Sequence, residues 1–178
     1  PFDSDGYGPM DNRPGRAGWD GRASSSNTND LRGKIMRIKP NDDGTAGYTI
    51  PEGNLFPKGT AKARPEIYVM GNRNPYRIAV DQHTDYLYWG EVGPDAGEDR
   101  EGRGPRGYDE VNQARKAGYF GWPLFVADNR AYNQYDFETK KSGAPFDAAK
   151  PINDSPHNTG LRELPPAQKA FIYYPYAD

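Results

Sequence analysis

The sequence predicts an all-β protein of short antiparallel strands joined by long loops, and three observations predict it. The 178 residues include 21 Gly and 17 Pro, so more than a fifth of the chain interrupts regular structure, which excludes a bundle of long helices. Only 34% of residues are hydrophobic and the mean hydropathy is -1.02, yet 13 Tyr, 7 Phe and 3 Trp are present. Disordered chains of that polarity lack such rings, so the composition describes a folded, loop-rich unit anchored by aromatic side chains. Apolar alternation comes in short runs, with no amphipathic helix of useful length. A β-propeller portion suits this pattern better than a sandwich, because each blade is a short meander whose loops collect on one face. The strand signals suffice for one or two blades, whereas a closed propeller needs at least about four.

Residues 1–30 scatter apolar side chains among Gly, Pro, Ser and Asp. They read as a long loop or extension pinned by Tyr7 and Trp19, with the Ser run at 24–26 flexible or capping. Ile35, Met36 and Ile38 mark a strand over 34–39 that runs into the NDDG turn. EIYVM (66–70) and RIAVD (77–81) are the next strands, with GNRNP between them. RIAVD, the turn QHT and DYLYWGE (85–91) form a predicted hairpin with about half of each strand buried, Ile78 and Val80 on one face and Leu87 and Trp89 on one face of the partner. Residues 93–109 read as loop, and GYDEVNQARKAG suits either an irregular strand or a helical turn. GYFGWPLFV packs aromatics closely, 127–165 is polar and Pro-spaced, and a last strand is expected at 169–174. Residues 1–178 are expected to be part of a single domain.

A formal net charge of -2 gives no field that would draw the chain onto nucleic acid or an anionic membrane. Arg103 and Arg106 are interleaved with acids, and Arg103 reads as part of a solvated loop. The absence of Cys excludes disulfides, thiolate ligands and cysteine nucleophiles. No apolar run has the length of a membrane span or a signal-peptide core. The first residue is Pro, so the chain is expected to follow processing or to be cut from a longer protein. His83 and His157 lie in separate polar turns, outside any HExxH pattern, which favours surface roles.

Two stretches carry candidate chemistry. In GNRNPYRIAVD (71–81), Pro75 stiffens a turn entering a strand, so Arg73 offers a guanidinium fork and Asn74 a carboxamide from a backbone that cannot wander. A ligand site for a planar, oxygen-rich molecule and a plain capped turn both remain open. In WGEVGPDAGEDREGRGPRGYDE (89–110), Gly93 and Pro94 can present carbonyl oxygens to Ca²⁺ amid Glu91, Asp95, Glu98, Asp99, Asp109 and Glu110. A solvated acidic loop explains the same composition equally well, since the spacing is not that of an EF-hand. Trp89, Tyr119, Phe120 and Trp122 could stack on sugars, although core packing is the plainer role.

The ordered set LRGKIMRI, GNRNPYRIAVD, YWGEVGPDAG and YDEVNQARKAGYFGWP, over roughly residues 31–125, resembles the soluble quinoprotein glucose/sorbosone dehydrogenase family. The resemblance implies a six-bladed parent propeller, secreted or periplasmic, of which this chain is a middle portion, with the remaining blades as its partners. It implies pyrroloquinoline quinone (PQQ) and Ca²⁺ as cofactors for oxidation of an aldose at C1, with an electron acceptor completing the cycle. By the same resemblance Arg73, Asn74 and Tyr76 fall on cofactor-contacting positions, and Gly93 and Pro94 on the Ca²⁺-ligating carbonyls. Asp109, Glu110 and Asn112 match a segment expected to support the loop. Tyr76 stands where soluble glucose dehydrogenases carry Gln, and the catalytic base, a His, is expected upstream of Pro1. These departures motivate the alternative of a non-catalytic propeller module that binds carbohydrate or a protein. A propeller glycoside hydrolase is a third reading, for which no pair of carboxylates can be picked from sequence.

Overall fold

The computed structural model describes residues 9–176; Tyr7 lies outside them. In chain order the strands are β1 (Lys34–Met36), β2 (Lys39–Pro40), β3 (Tyr48–Thr49), β4 (Ile67–Met70), β5 (Pro75–Val80), β6 (Leu87–Glu91), β7 (Tyr108–Ala114), β8 (Gly118–Tyr119), β9 (Phe125–Val126), β10 (Arg130–Ala131), β11 (Asn133–Asp136), β12 (Lys141–Pro145) and β13 (Ile172–Pro175). Two single 3₁₀ turns at Ala17–Trp19 and Gly21–Ala23 are the helical elements among the described residues. The protein is all-β, as the composition predicts.

The main sheet runs β13-β7-β6-β5 and is antiparallel throughout. A second sheet runs β1-β4-β8, in which β4 and β8 pair in parallel through Val69–Gly118 and Met70–Tyr119. That pair departs from the antiparallel expectation. Three two-stranded ribbons complete the structure, and among the described residues no sheet closes on itself.

The predicted hairpin is present, with Ile78 opposite Trp89 and Val80 opposite Leu87. Its burial is not symmetric. Leu87 and Trp89 are buried, but Ile78 and Val80 are 60% and 59% exposed, because β5 is the sheet edge and no further strand covers that face. The GYDEVNQARKAG segment contains a regular seven-residue strand, β7, with Tyr108, Glu110, Asn112 and Ala114 all buried. The polar 127–165 span holds the unpredicted β11–β12 hairpin. Arg103 is not a solvated side chain either, since its guanidinium lies 3.5 Å from the centre of the Tyr135 ring.

One core cluster gathers Ile67, Met70, Tyr108, Tyr119, Leu124 and Phe125 among others. A smaller one joins Val69, Leu87, Trp89, Ala114 and Phe120. Trp89 and Phe120 meet edge to face at 4.7 Å between ring centres, an arrangement that adds about 0.5–1.5 kcal/mol beyond the area it buries.

Residues 20–33 are not a free tail. Ser25 and Ser26 are buried, which corrects the expectation of a flexible or capping Ser run. Ser25 Oγ donates to Asn72 O, and Ser26 Oγ donates to Trp122 O and bonds the Tyr119 hydroxyl. Asn153 Nδ2 donates to the carbonyls of Arg22 and Ser26, Ser155 Oγ donates to Asp20, and Leu161 N donates to Thr28 Oγ1. Buried polar groups keep their place only when paired in this way.

The open edge carries a testable consequence. Tyr76, Ile78 and Val80 project from β5 at 59–71% exposure, an uncovered apolar strand of the kind that recruits another strand or chain. The isolated chain is expected to self-associate or to melt at low temperature, as read by light scattering and calorimetry. A monodisperse monomer with a sharp, high-temperature transition would overturn this.

Candidate functional site

At the end of β4 the chain leaves the smaller sheet and makes the 71–74 turn before entering the main sheet as β5. At the matching end of β6 it leaves through Glu91, Val92, Gly93 and Pro94. The antiparallel register places these two exits side by side, with Pro75 opposite Glu91. Arg73 and Asn74 donate their backbone N–H groups to Glu91 Oε1 at 2.5 and 2.7 Å. Val92 N donates to Asn74 O at 3.1 Å, and the Arg73 guanidinium donates to Val92 O at 3.1 Å. The two stretches singled out in the sequence thus form one site, as the strand assignment predicts.

Arg73, Glu91, Gly93, Pro94, Glu110 and Trp122 are among the residues that line a cavity of about 10 Å³ there, room for about one water molecule. Asn74 and Tyr76 stand outside it. Asn74 is exposed and Tyr76 is 71% exposed, stacked beside Arg77 at 5.5 Å. Arg73 lies 5.9 Å from the centre of the half-buried Trp122 ring. Trp89, Tyr119 and Phe120 are buried core groups, so of the four aromatic candidates Trp122 alone offers surface at the site. His83 lies exposed in the β5–β6 turn, and His157 is half-buried with its ring Nε2 3.3 Å from Arg13 O.

The Gly-Pro segment is held by close backbone approach. A Cβ on Gly93 would lie 1.9 Å from Tyr108 O, and one on Gly107 would lie 1.8 Å from Pro94 O. Gly93 N donates to Asp109 Oδ1 at 2.8 Å, the loop-supporting role the resemblance implies for Asp109. Ca²⁺ takes six to eight oxygen ligands. Pro94 O accepts from Ala96 N at 2.8 Å and lies close against Gly107, and among the described residues no backbone N–H bonds to Gly93 O. Among the described residues no group of three or more His, Cys, Asp or Glu could hold a metal ion. A hard cation held here would take its oxygens from carbonyls and a bound anion rather than from a carboxylate cluster.

Two site residues carry more structure than their sequence setting indicates. Glu91 and Glu110 face each other across the β6–β7 rung, both buried. Burial pushes the Glu91 carboxyl up to about 8, the Glu110 charge acts in the same direction, and the two turn amides oppose them. Glu91 Oε2 and the Trp89 indole N–H both lie buried outside hydrogen-bonding geometry, although the indole is near enough to favour the ionised carboxylate. Glu110 is raised as well, chiefly by burial. Its Oε1 accepts from Ala127 N at 2.5 Å and its Oε2 from Asn112 at 3.0 Å. Composition grouped both with the solvated acids of the loop. The signal that separates Glu91 is its phase, since it continues the Leu87, Trp89 alternation onto the buried face.

An all-β chain with this paired-turn site falls in a class already defined among known proteins. The family model for glucose/sorbosone dehydrogenase matches residues 15–155. The chain belongs to the glucose/sorbosone dehydrogenase family. It is 34% identical over 103 residues to the aldose sugar dehydrogenase YliI of Escherichia coli (strain K12), covering 58% of this chain and 23% of that protein. It is 27% identical over 150 residues to quinoprotein glucose dehydrogenase B of Acinetobacter calcoaceticus, covering 78% of this chain and 27% of that one. A solved glucose dehydrogenase structure superposes with a TM-score of 0.47 at 24% identity, over 94% of this chain and 34% of that chain. The chain thus spans about a quarter of the length of these curated relatives. Among the described residues no helix is long and apolar enough to cross a membrane.

Proposed function

We propose that this chain is a middle portion of a secreted or periplasmic, six-bladed propeller that oxidises an aldose or related sugar at C1 with PQQ and Ca²⁺. Residues 1–178 belong to one propeller domain, and the catalytic base and the other blades lie in the rest of the parent protein. The observation that carries the reading is the joining of the 71–74 turn to the 91–94 turn through Glu91, which brings Arg73, Gly93 and Pro94 to one cavity. Membership of the dehydrogenase family supports it, and so does the likeness to a protein named as a quinoprotein glucose dehydrogenase.

In this reading the chemistry that bound PQQ would supply is a two-electron acceptor for the C1 hydride of the sugar, the hydroxyl proton going to the base in the rest of the parent protein. The Arg73 guanidinium supplies a fixed positive charge and N–H donors toward the quinone oxygens, and Asn74 adds a carboxamide. Gly93 and Pro94 would hold Ca²⁺ through carbonyl oxygens. Tyr76, exposed on β5 outside the cavity, would meet the cofactor from that side, and a bulky phenol in place of Gln would alter which sugars are taken.

Equilibrium dialysis of the full-length protein tests the assignment. EDTA is expected to abolish both PQQ retention and aldose-dependent dye reduction. Arg73→Ala is expected to weaken PQQ by about 1.5–3 kcal/mol through loss of a charge-assisted contact, while Lys116→Ala, in an exposed turn, changes nothing. Undiminished PQQ binding without divalent metal, or in Arg73→Ala, would reject the reading.

A further inference from the structure

We infer that Glu91 is a positioning residue that sets the aim of Arg73 and Asn74 without itself touching the cofactor, an inference that rests on those two residues being cofactor contacts. One oxygen of its buried carboxyl accepts the backbone N–H groups of both residues, at 2.5 and 2.7 Å. Two successive amides held by a single acceptor fix the peptide planes from which both side chains spring. The carboxyl is itself held, because Glu91 is the last residue of β6 and pairs with Glu110 across the rung to β7. Glu110 uses the same device on another turn, accepting the N–H of Ala127, whose φ is 56°. The β6–β7 rung therefore presents two buried carboxyls, each stapling a loop that the sheet alone would not order.

The staple needs an acceptor at Oε1 and the full reach of the side chain. Glu91→Gln keeps both, Glu91→Asp draws the acceptor back by one methylene, and Glu91→Leu removes it while filling similar space. In the full-length, cofactor-free protein, amide hydrogen exchange at Arg73 and Asn74 is expected to accelerate about tenfold or more in the Leu and Asp variants. Exchange in Glu91→Gln is expected to stay within about threefold of the parent, because the acceptor remains. Amides inside β6, such as those of Tyr88 and Trp89, serve as the folded reference. PQQ affinity by dialysis is expected to fall about tenfold with the loosened turn and to be rescued in Glu91→Gln. Unchanged exchange in both the Leu and Asp variants would overturn the inference, as would faster exchange with undiminished PQQ affinity, or a Gln variant as impaired as Leu. A parent protein that binds no PQQ at all would instead reject the cofactor reading on which it rests. If Glu91→Leu fails to fold, Asp against Gln decides.

Discussion

Gly93→Ala is expected to destabilise the protein by about 3 kcal/mol or more, while Gly90→Ala, three residues earlier, costs nothing. A methyl group on Gly93 would sit 1.9 Å from Tyr108 O and 2.5 Å from Tyr108 C. Both are backbone atoms of the first residue of β7, so no rotamer change relieves the clash. The 91–94 exit must move away from β7, breaking the bond from Gly93 N to Asp109 and pulling on the Glu91–Glu110 rung. At Gly90 an added Cβ meets nothing within 4 Å, and replacing a strand Gly by Ala gains about 0.5–1 kcal/mol from the stiffer unfolded chain. Calorimetry should show Gly93→Ala melting roughly 6–12 °C below the parent, given about 2–4 °C per kcal/mol at this size. Equal melting temperatures for the two variants would mean that the Gly-Pro segment is not held by backbone contact.

The stability of the metal- and cofactor-free protein is expected to pass through a minimum near pH 7–8. Two buried groups with opposite signs produce it. Glu91 has a folded pKa of about 8 against an ordinary 4.5, so below pH 4.5 it is protonated in both states and contributes no dependence. Between 4.5 and 8 only the unfolded chain releases the proton, and stability falls by about 4–5 kcal/mol over that window. Glu110, also raised by burial, adds to the same fall. Lys34 is buried with its amine bonded to the carbonyls of Ser24 and Arg32, and burial lowers its pKa from 10.5 to about 7. Between 7 and 10.5 only the unfolded chain holds that proton, so stability recovers as pH rises, by a comparable amount. Urea unfolding from pH 5 to 10 checks the curve. Glu91→Gln should flatten the falling limb and Lys34→Met the rising one; a parent profile flat from pH 5 to 7 would contradict the Glu91 assignment, and one flat from pH 8 to 10 the Lys34 assignment.

Much of this frame is legible in the residues. The alternation in IYVM, RIAV and YLYWGE specifies β4, β5 and β6, and the hairpin they imply is what brings the 71–74 and 91–94 turns together. Strand β7 hides because its buried face reads Tyr108, Glu110, Asn112, Ala114. The period of two is there, but polar side chains occupy the inner positions, so hydrophobicity alone cannot reveal it. The exposure of Ile78 and Val80 is equally invisible, since a strand at a sheet edge carries the same letters as one at the centre. The β11–β12 hairpin rests on side-chain and loop contacts, such as Arg103 against Tyr135, rather than on any apolar run. The burial of Ser25 and Ser26 depends on partners 47 residues away for the first and 93 and 96 for the second, which no local pattern encodes.

The ties that bind residues 20–33 also impose an order of events in time. Among their partners, Asn153, Ser155, Thr159 and Leu161 lie more than 125 residues downstream. The ties of the same segment to Lys62 and Asn72 span only 34 and 47 residues, so its partners divide into a near set and a far set. Contacts of the far set's sequence separation are slow to close and come late. Strands β5 to β7 can pair among themselves beforehand, and the 20–33 segment then closes its far ties to residues 153–161 as a later, separate step.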